Sequence, residues 1–311
     1  MAVYVNTNYS ALQGQRYLSN VQNSLTTTYQ RLSSGMRINS AKDDAAGLQI
    51  ADRLTSQING LNQGNRNASD GIALAQTIES GMDEMSSMLQ KIRTLAVQAS
   101  NGTNTNEDRE ALSKEASALA TEIGRIADQT TYGGKKILKG YVANDSLYEK
   151  VGNGTAASLT LQVGSNKGDT ISFTIRSFQF SVIASAAGLK DNVGAGATDK
   201  TKQFGLNNGV MKVSFTSADN AQAVIQHMDK MIAIVDSQRA DLGALQNRLE
   251  SSIRNQSNVA ANEADARSRI RDADFAEESA NLSQQSIIQQ AAASMLMQAN
   301  TRPQLGLSLL G

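Results

Sequence analysis

The sequence predicts a mainly α protein, an elongated coiled-coil or helical-bundle rod that is built from both chain ends and carries a small β-hairpin region in the middle. Three observations predict this fold class. Apolar residues recur every seven positions toward both ends of the 311-residue chain, which is typical of helices that pack along one stripe. The chain has one proline, so its helices can be long. Between residues 133 and 216, Gly, Thr, Ser and Asn become frequent, and two segments alternate apolar and polar residues as strands do.

The first helix is predicted close to the N-terminus. Leu18, Leu25 and Leu32 lie seven residues apart and Val21 follows Leu18 by three, so these side chains form one apolar stripe. The Ser-Ser-Gly sequence at residues 33–35 breaks the pattern and predicts the end of this helix.

A longer helix is predicted from Ala45 to about Ser100. At the helical rise per residue it would be roughly 80 Å long. That length exceeds what a compact domain of this chain length could contain, so the sequence predicts an elongated molecule. The apolar positions form two rows with a period of seven: Leu54, Leu61, Ala68, Ala75, Met82, Leu89 and Ala96, and Ile78, Met85, Ile92 and Ala99.

A third helix is predicted after a loop at residues 101–104. Thr105 and Asp108 resemble a capping box at its start, with Asp in place of the usual Glu. Spacings of four and three then define its apolar face: Leu112, Ala116, Leu119, Ile123 and Ile126.

The middle of the chain predicts a β-hairpin. Residues 159–163 and 171–175 alternate apolar and polar side chains, and the linker between them contains Gly164 and Gly168. The stretch from Ser185 to Asn208 is rich in Gly and Ala, and we expect it to be irregular.

Two further helices are predicted toward the C-terminus. The first has apolar residues at Ala221, Met228, Val235, Leu242 and Leu249, again seven apart. The second carries Ile288, Ala292, Met295 and Ala299 on one face, and Pro303 is expected to end it.

Both ends of the chain are poor in charge. No acidic residue precedes Asp43, and Arg302 is the only charged residue between Ser279 and Gly311. Solvated helices usually carry alternating charges. We therefore expect the two striped ends to cover each other, and their remaining faces to be buried against copies of the same chain. The alternative is a monomeric bundle with a weakly polar surface.

Composition argues against several classes of function. The 29 basic residues balance the 29 acidic ones, which disfavours a protein that neutralises nucleic-acid phosphates. The chain has no cysteine and a single histidine, His227, so thiol chemistry and multi-histidine metal sites are excluded. We interpret His227 as a helix-surface residue, and the acidic pairs Asp43-Asp44 and Asp272–Asp274 as helix-start residues that face the positive end of the helix dipole. The sequence thus predicts no enzyme, no cofactor and no metal.

No segment near the N-terminus has the apolar core of a signal peptide, and no apolar run is long enough to span a bilayer. The acid-free, arginine-bearing start superficially resembles a mitochondrial transit peptide. We expect no membrane insertion.

Four segments carry a resemblance to a known family: LSSGMRINSAKDDAAGLQIADR (residues 32–53), RADLGALQNRLESSIRN (residues 239–255), SRIRDADFAEE (residues 268–278) and the closing LSLL (residues 307–310). In this order they resemble the N- and C-terminal signatures of bacterial flagellin, in a short form with little or no outer domain. The resemblance also replaces the transit-peptide interpretation, because the acid-free start matches the flagellin N-terminal helix.

The resemblance implies a structural subunit of the bacterial flagellar filament, secreted unfolded by type III export, which self-assembles through its terminal helices into a helical tube that serves as the propeller for motility. The implied partners are further copies of the chain, an export chaperone, and the filament cap and hook-junction proteins. The alternative is a hook–filament junction protein, which also has paired terminal coiled coils.

The resemblance also implies three regions. An inner terminal coiled-coil domain would comprise residues 1–44 and 272–311. A rod domain with the β-hairpin would comprise residues 45–178 and 217–271. Residues 179–216 would then be a short variable central segment.

Residue roles implied by the resemblance fall on the terminal stripes. The termini are expected to be largely disordered in the free chain and to become helical on burial, because one stripe alone does not offset its ordering entropy. The expected self-assembly residues are Leu18, Val21, Leu25, Leu32, Ile288, Ala292, Met295, Leu309 and Leu310. The expected export-chaperone residues are Leu282, Ile287, Ile288, Met295, Leu296 and Leu307.

Recognition by a vertebrate Toll-like receptor is a further implied property. The matching positions are Lys91, Leu95 and Glu115, where Lys91 replaces a common arginine and so lacks a bidentate guanidinium. The alternative is that Lys91 and Glu115 are solvated helix residues and that Leu95 serves packing.

Overall fold

The computed structural model describes residues 7–142, 145–150, 157–187, 193–195, 204–207 and 210–308. Within these residues the backbone forms six helices and eight short strands. The chain divides into two compact units, Met1–Asn59 with Val259–Gly311, and Gly60–Asn258. We call the first the terminal unit and the second the central unit.

The terminal unit contains helices α1 (Tyr9–Ser34) and α6 (Phe275–Ser308), which pack against each other. Asn8 caps the start of α1, because its side-chain oxygen accepts a hydrogen bond from the Ala11 amide at 3.0 Å. Gly35 ends the helix in a left-handed conformation with φ of 69°. The predicted helix and its end at residues 33–35 are confirmed.

Two loops of the terminal unit are hydrogen-bonded to each other. The loop after α1 donates from the Arg37 and Ile38 amides to the Arg271 carbonyl at 2.7 and 3.3 Å. The loop before α6 donates from the Ala273 amide to the Gly35 carbonyl at 3.0 Å. These bonds hold the start of α6 against the end of α1.

Three long helices supply the core of the central unit: α2 (Ala45–Ala99), α3 (Asn106–Gln129) and α5 (Ala218–Arg271), with α2 and α5 also contributing residues to the terminal unit. The predicted capping box is confirmed, since the Asp108 amide donates to the Thr105 hydroxyl and the Asp108 carboxylate accepts from the Thr105 amide. Most of the predicted heptad positions of α2 and α5 are buried in the hydrophobic core: Ala68, Ala75, Ile78, Met82, Met85, Leu89, Ile92, Ala96, Ala99, Ala221, Met228, Val235, Leu242 and Leu249. Of the other two predicted positions, Leu61 is buried and Leu54 is half-buried.

The predicted hairpin is confirmed as β4 (Ala157–Gln162) and β5 (Thr170–Ile175), antiparallel with Leu159 opposite Phe173. β3 (Glu149–Lys150) pairs with β4 on the other side. A tighter turn joins β1 (Thr131–Tyr132) to β2 (Lys135–Lys136).

Part of the central segment is ordered, which corrects the expected irregular structure of residues 185–208. Helix α4 (Phe180–Ala186) precedes a small sheet of β6 (Val193–Ala195), β7 (Phe204–Asn207) and β8 (Val210–Val213). β6 is parallel to β7, and β8 is antiparallel to it. Hydrogen bonds between these strands stabilise structure that the Gly- and Ala-rich composition does not indicate.

Two serines of α3 bind the outer edge of β8. The Val213 amide donates to the Ser117 hydroxyl and the Phe215 amide donates to the Ser113 hydroxyl, both at 2.9 Å. Phe215 and Val213 are buried in the core. The sheet is therefore fixed to α3 by side-chain hydrogen bonds as well as by packing.

None of the helices described combines the length and the apolar character that crossing a bilayer requires. Among the described residues, no group of three or more metal-ligating side chains comes together.

Candidate assembly surface on the terminal helices

The stripe predicted on α1 faces α6. Val21 and Ala292 are buried, and Leu18, Leu25, Leu32 and Ile288 are half-buried. Gly14 allows close approach, since a Cβ atom at this position would lie 3.2 Å from Cδ1 of Leu296. The two helices therefore cover each other's stripes, as the sequence predicts.

A second set of apolar side chains points away from this contact. On α6, Ile287, Met295 and Met297 are each about two-thirds exposed, at 67%, 70% and 67%. On α1 the exposed set is Tyr9, Leu12, Tyr17 and Tyr29. Single exposed apolar residues are ordinary, but a group on one helix pair indicates a surface that another molecule covers.

A groove between α1 and α6 forms part of this surface. Its volume is about 700 Å³, and its apolar lining includes Tyr17, Ile288, Ala292 and Met295. Ser10, Gln13 and Gln298 supply uncharged polar groups at its sides. The groove has the chemistry of a site for an apolar side chain and not for an ion.

The sequence predictions missed five of the seven exposed side chains of this surface, Leu12 among them. Tyr9, Tyr17, Tyr29 and Met297 do not lie on the seven-residue stripes, and the stripes identify only the residues that the two helices bury against each other. The signal available in the sequence was that these large apolar or aromatic residues lie off the stripes of two helices that carry few charges.

The predicted residues divide between the two sets. Leu18, Val21, Leu25, Leu32 and Ala292 lie within the α1–α6 contact, and Leu282, Ile288 and Leu296 are half-buried. Ile287 and Met295 are exposed. Leu307 lies in α6, but its side chain is outside the description, and Leu309 and Leu310 lie outside the described residues.

Acidic residues at helix starts act as caps. Asp44 accepts from the Gly47 amide at 2.9 Å, and Asp274 accepts from the Ala276 amide at 2.8 Å. Asp43 accepts from the amides of Ser40 and Asn39, and these bonds hold the pKa of its carboxyl below the ordinary value. The interpretation of Asp44 as a helix-start residue is confirmed, whereas Asp43 binds the turn that precedes α2.

Helix α6 does not end at Pro303, which corrects the sequence prediction: it continues to Ser308. A proline has no amide N–H, so residue 303 cannot donate to the carbonyl of Ala299 four residues earlier. In the structure the Asn8 side-chain nitrogen donates to that carbonyl at 2.8 Å. A residue 291 positions away in sequence thus supplies the missing hydrogen bond.

The residues matched to receptor recognition lie in the central unit, with different exposure. Lys91 and Glu115 are exposed on α2 and α3. Leu95 is 7% exposed and belongs to the hydrophobic core. Two residues further along α2, Arg93 forms an ion pair with Asp229 at 2.6 Å.

His227 is buried, which corrects its interpretation as a helix-surface residue. Its ring lies 5.8 Å from the ring of Phe204 in β7. Burial, and then the charge of Lys230, lower the pKa of His227 below 6.5. The strand that covers it comes from the central segment, so its own helix gave no sign of this burial.

Comparison with known proteins identifies the same chain ends. Residues 5–143 match the family described as the bacterial flagellin N-terminal helical region. Residues 225–310 match the bacterial flagellin C-terminal helical region.

Relatives match along the whole chain. It is 37% identical to flagellin A of Vibrio cholerae and 35% identical to polar flagellin C of Vibrio parahaemolyticus, with all of both proteins covered in each comparison. The alignment with flagellin A spans 380 positions against the 311 residues of this chain, so that relative carries segments that are missing here.

A solved structure from Vibrio parahaemolyticus, described as flagellar hook-associated, has a similar fold. Its TM-score is 0.54 at 14% identity, and the match covers 74% of this chain and 100% of that protein. At this identity the likeness concerns the fold alone.

Proposed function

Because this chain belongs to the bacterial flagellin family, it is a structural subunit of the extracellular flagellar filament, and we propose that its terminal unit carries polymerisation of that filament. One observation carries the proposal. The α1–α6 pair buries its stripes internally and still exposes apolar side chains, among them Met295, on a segment where Arg302 is the only charge after Glu278.

We propose that further copies of the same chain cover this surface. Filament subunits are held at high local concentration, and heterologous contacts that do not close produce a helical polymer. Small and uncharged side chains around the groove permit close approach of a neighbouring helix without desolvating charge.

We also propose a role for each region of the chain. Residues 1–44 and 272–311 form the inner assembly domain, residues 45–178 and 217–271 form the rod, and residues 179–216 form a short insert. Helix breaks at residues 35–44 and 272–274 support the first boundary, although the compact units divide within α2 and α5. In this proposal the protein has a structural role and no catalytic one.

Before assembly, an export chaperone would cover the same apolar residues of α6. Exposed Ile287 and Met295 are available for this contact in the folded terminal unit. Leu282, Ile288 and Leu296 are half-buried against α1, so a chaperone would reach them fully only while α1 is detached or unfolded. The filament cap and hook-junction proteins are proposed to meet the same terminal helices at the filament ends.

Receptor recognition is proposed for the central unit through exposed Lys91 and Glu115. Leu95 has little exposed surface, so its contribution would come mainly from holding α2 in place. This part of the proposal is independent of the terminal unit.

The test of the assembly proposal is deletion of residues 1–44 or residues 272–311. We expect each truncated chain to retain the helical content of the central unit and to form no filaments by electron microscopy. A control removes residues 188–203 and should leave polymerisation intact. Truncated chains that polymerise into normal filaments would overturn the proposal.

A further inference from the structure

The carbonyl of Ala299 in α6 receives its hydrogen bond from outside its own helix. The helix runs through Pro303 to Ser308, and the amide that would normally reach this carbonyl is the one that proline lacks. The Asn8 side-chain nitrogen donates instead, at 2.8 Å. A buried or half-buried carbonyl without a donor costs free energy, so this bond matters more than an ordinary surface contact.

The same Asn8 side chain has a second task. Its oxygen accepts from the Ala11 amide at 3.0 Å and caps α1. One amide group therefore joins the first turn of α1 to one particular turn of α6. If either helix slides along the other, the cap remains and the bond to Ala299 is lost.

The loop hydrogen bonds of Arg37, Ile38 and Ala273 hold one end of the α1–α6 pair. At the other end, where Asn8 lies, packing alone specifies the alignment weakly. The α1 stripe repeats every seven residues at Leu18, Leu25 and Leu32, and the facing part of α6 is mostly Ala, Ser and Gln. A slide by one heptad, about 10 Å, therefore brings similar side chains into contact again. Coiled coils resolve this kind of ambiguity with a single polar residue whose partner exists in one register.

We propose that Asn8 fixes the axial register of α1 against α6 at the end of the pair farthest from the connecting loops, by donating to the one carbonyl that Pro303 leaves open. Pro303 is the other half of the device, because it makes Ala299 the carbonyl that needs an external donor. This inference rests on the proposed role of the terminal unit in assembly, since the register decides which side chains the pair presents to neighbouring subunits.

A second contact supports the same register. A Cβ atom at Gly14 would lie 3.2 Å from Cδ1 of Leu296, so the native alignment places the smallest residue of α1 against a leucine. A shift by seven residues would put Gly14 opposite Gln289 and would leave a gap beside it.

The absence of cysteine from the sequence makes the register measurable by cross-linking. A Cβ atom at Gly14 lies 3.9 Å from Cβ of Leu296, which suits a disulfide. The pair Gly14→Cys and Leu296→Cys reports the native register. The pair Gly14→Cys and Gln289→Cys reports a slide of one heptad.

The test places Asn8→Asp in both reporter chains. Aspartate keeps the cap on α1 but cannot donate to Ala299. We expect the ratio of native to shifted cross-link to fall by about tenfold, because the native register then loses the hydrogen bond that satisfies the Ala299 carbonyl. The matched control is Asn23→Asp, which adds the same charge to α1 at an exposed position and should leave the ratio unchanged.

Pro303→Ala separates register from simple helix stability. It restores the amide that bonds Ala299, so a purely structural role predicts a more stable helix and an unchanged ratio. The register proposal predicts that Pro303→Ala lowers the ratio even with Asn8 present, and that adding Asn8→Asp then has less than a twofold further effect. The register proposal is overturned if the cross-link ratio is unchanged in Asn8→Asp or in Pro303→Ala. It is also overturned if Asn23→Asp lowers the ratio as much as Asn8→Asp does.

Cross-links are read on non-reducing gels for filaments, in which the terminal helices are expected to be folded. They are read separately for the full-length soluble chain, in which the disulfide traps the two helices when they pair, so a variant that fails to polymerise still gives a result. An unchanged ratio of native to shifted cross-link would refute the register proposal. Polymerisation of chains that lack residues 1–44 or 272–311 would refute the assembly proposal, and that experiment does not use the cross-link ratio.

Discussion

The Arg31 guanidinium lies 3.5 Å from the Glu278 carboxylate and links the last turn of α1 to the first turn of α6. The Glu278 side chain is only 9% exposed, whereas Arg31 keeps 32% of its surface in contact with solvent. The Asn281 side-chain nitrogen donates to the other carboxylate oxygen at 3.4 Å. The pair thus holds a nearly buried negative charge at the junction of the two terminal helices.

Replacement of Arg31 by Met should destabilise the terminal unit by roughly 3 kcal/mol, because Glu278 would remain buried without its cation. Adding Glu278→Gln should recover most of this loss. Urea titration of assembled filaments, in which the terminal helices are expected to be folded, measures both effects by circular dichroism.

The control for the Arg31 experiment is the exposed ion pair of Arg269 with Asp265 in the same unit, at 2.9 Å. Arg269→Met should cost about 0.5 kcal/mol or less, since both partners are solvated. Equal losses at Arg31 and Arg269 would mean that the burial of Glu278 has no energetic consequence.

Gly64→Ala should destabilise the central unit by about 1–3 kcal/mol through overpacking. A Cβ atom on Gly64 would lie 2.1 Å from the Val163 carbonyl oxygen, so α2 or the hairpin would have to move. Denaturant unfolding of the purified chain measures the change.

Gly124→Ala provides the contrast for Gly64, because no atom lies within 4 Å of the added Cβ in the middle of α3. Here we expect stabilisation of roughly 0.5–1 kcal/mol from reduced backbone freedom in the unfolded chain. If Gly64→Ala and Gly124→Ala changed the free energy of unfolding in the same direction, the close approach of α2 to residue 163 would be contradicted.

Stability of the central unit should depend on pH through His227. Its pKa in the folded protein is below the unfolded value of 6.5, so the unfolded chain binds more protons between these two values. Stability present above pH 6.5 is then lost as the pH falls through the lowered pKa. The comparison of urea unfolding at two pH values, one above and one below 6.5, tests this loss.

His227→Gln should flatten this pH dependence above the range where carboxylates titrate. The substitution keeps a polar group and removes the only histidine of the chain. If the variant and the native chain lose stability equally on mild acidification, His227 is not the responsible group.

Receptor signalling by the soluble monomer should fall about fivefold or more for Lys91→Ala and for Glu115→Ala, the typical loss on truncating an interface residue that matters. A cell reporter for the Toll-like receptor measures it. Leu95→Ala should instead cost about 2–4 kcal/mol of stability, since it removes a core side chain. No signal from the native monomer, or full signal from both surface variants, contradicts the receptor proposal.

The long helices could be predicted from sequence because their signal is local and repetitive. The rows through Met82 and Leu89 in α2 and through Val235 and Leu242 in α5 are buried as their period of seven indicates. Caps at Thr105 and Asp44 are equally local, since donor and acceptor lie within three residues of each other.

The predictions that were wrong concern partners far away in sequence. Pro303 breaks a helix unless another group satisfies the freed carbonyl, and Asn8 does so from the opposite end of the chain. His227 looks like a surface residue until β7 places Phe204 against it. The exposed tyrosines of α1 were missed because heptad spacing identifies only what the two terminal helices bury together.

The Ser117 hydroxyl occupies the amide of Val213, the last residue of β8, and the Ser113 hydroxyl occupies the amide of Phe215 just beyond it. An open strand edge is a template on which a second chain can add and aggregate. In a polymer whose subunits lie side by side, such an edge would compete with the correct lateral contacts. The serines of α3 therefore close the end of this edge, so that a strand of a neighbouring subunit cannot pair with Val213 or Phe215.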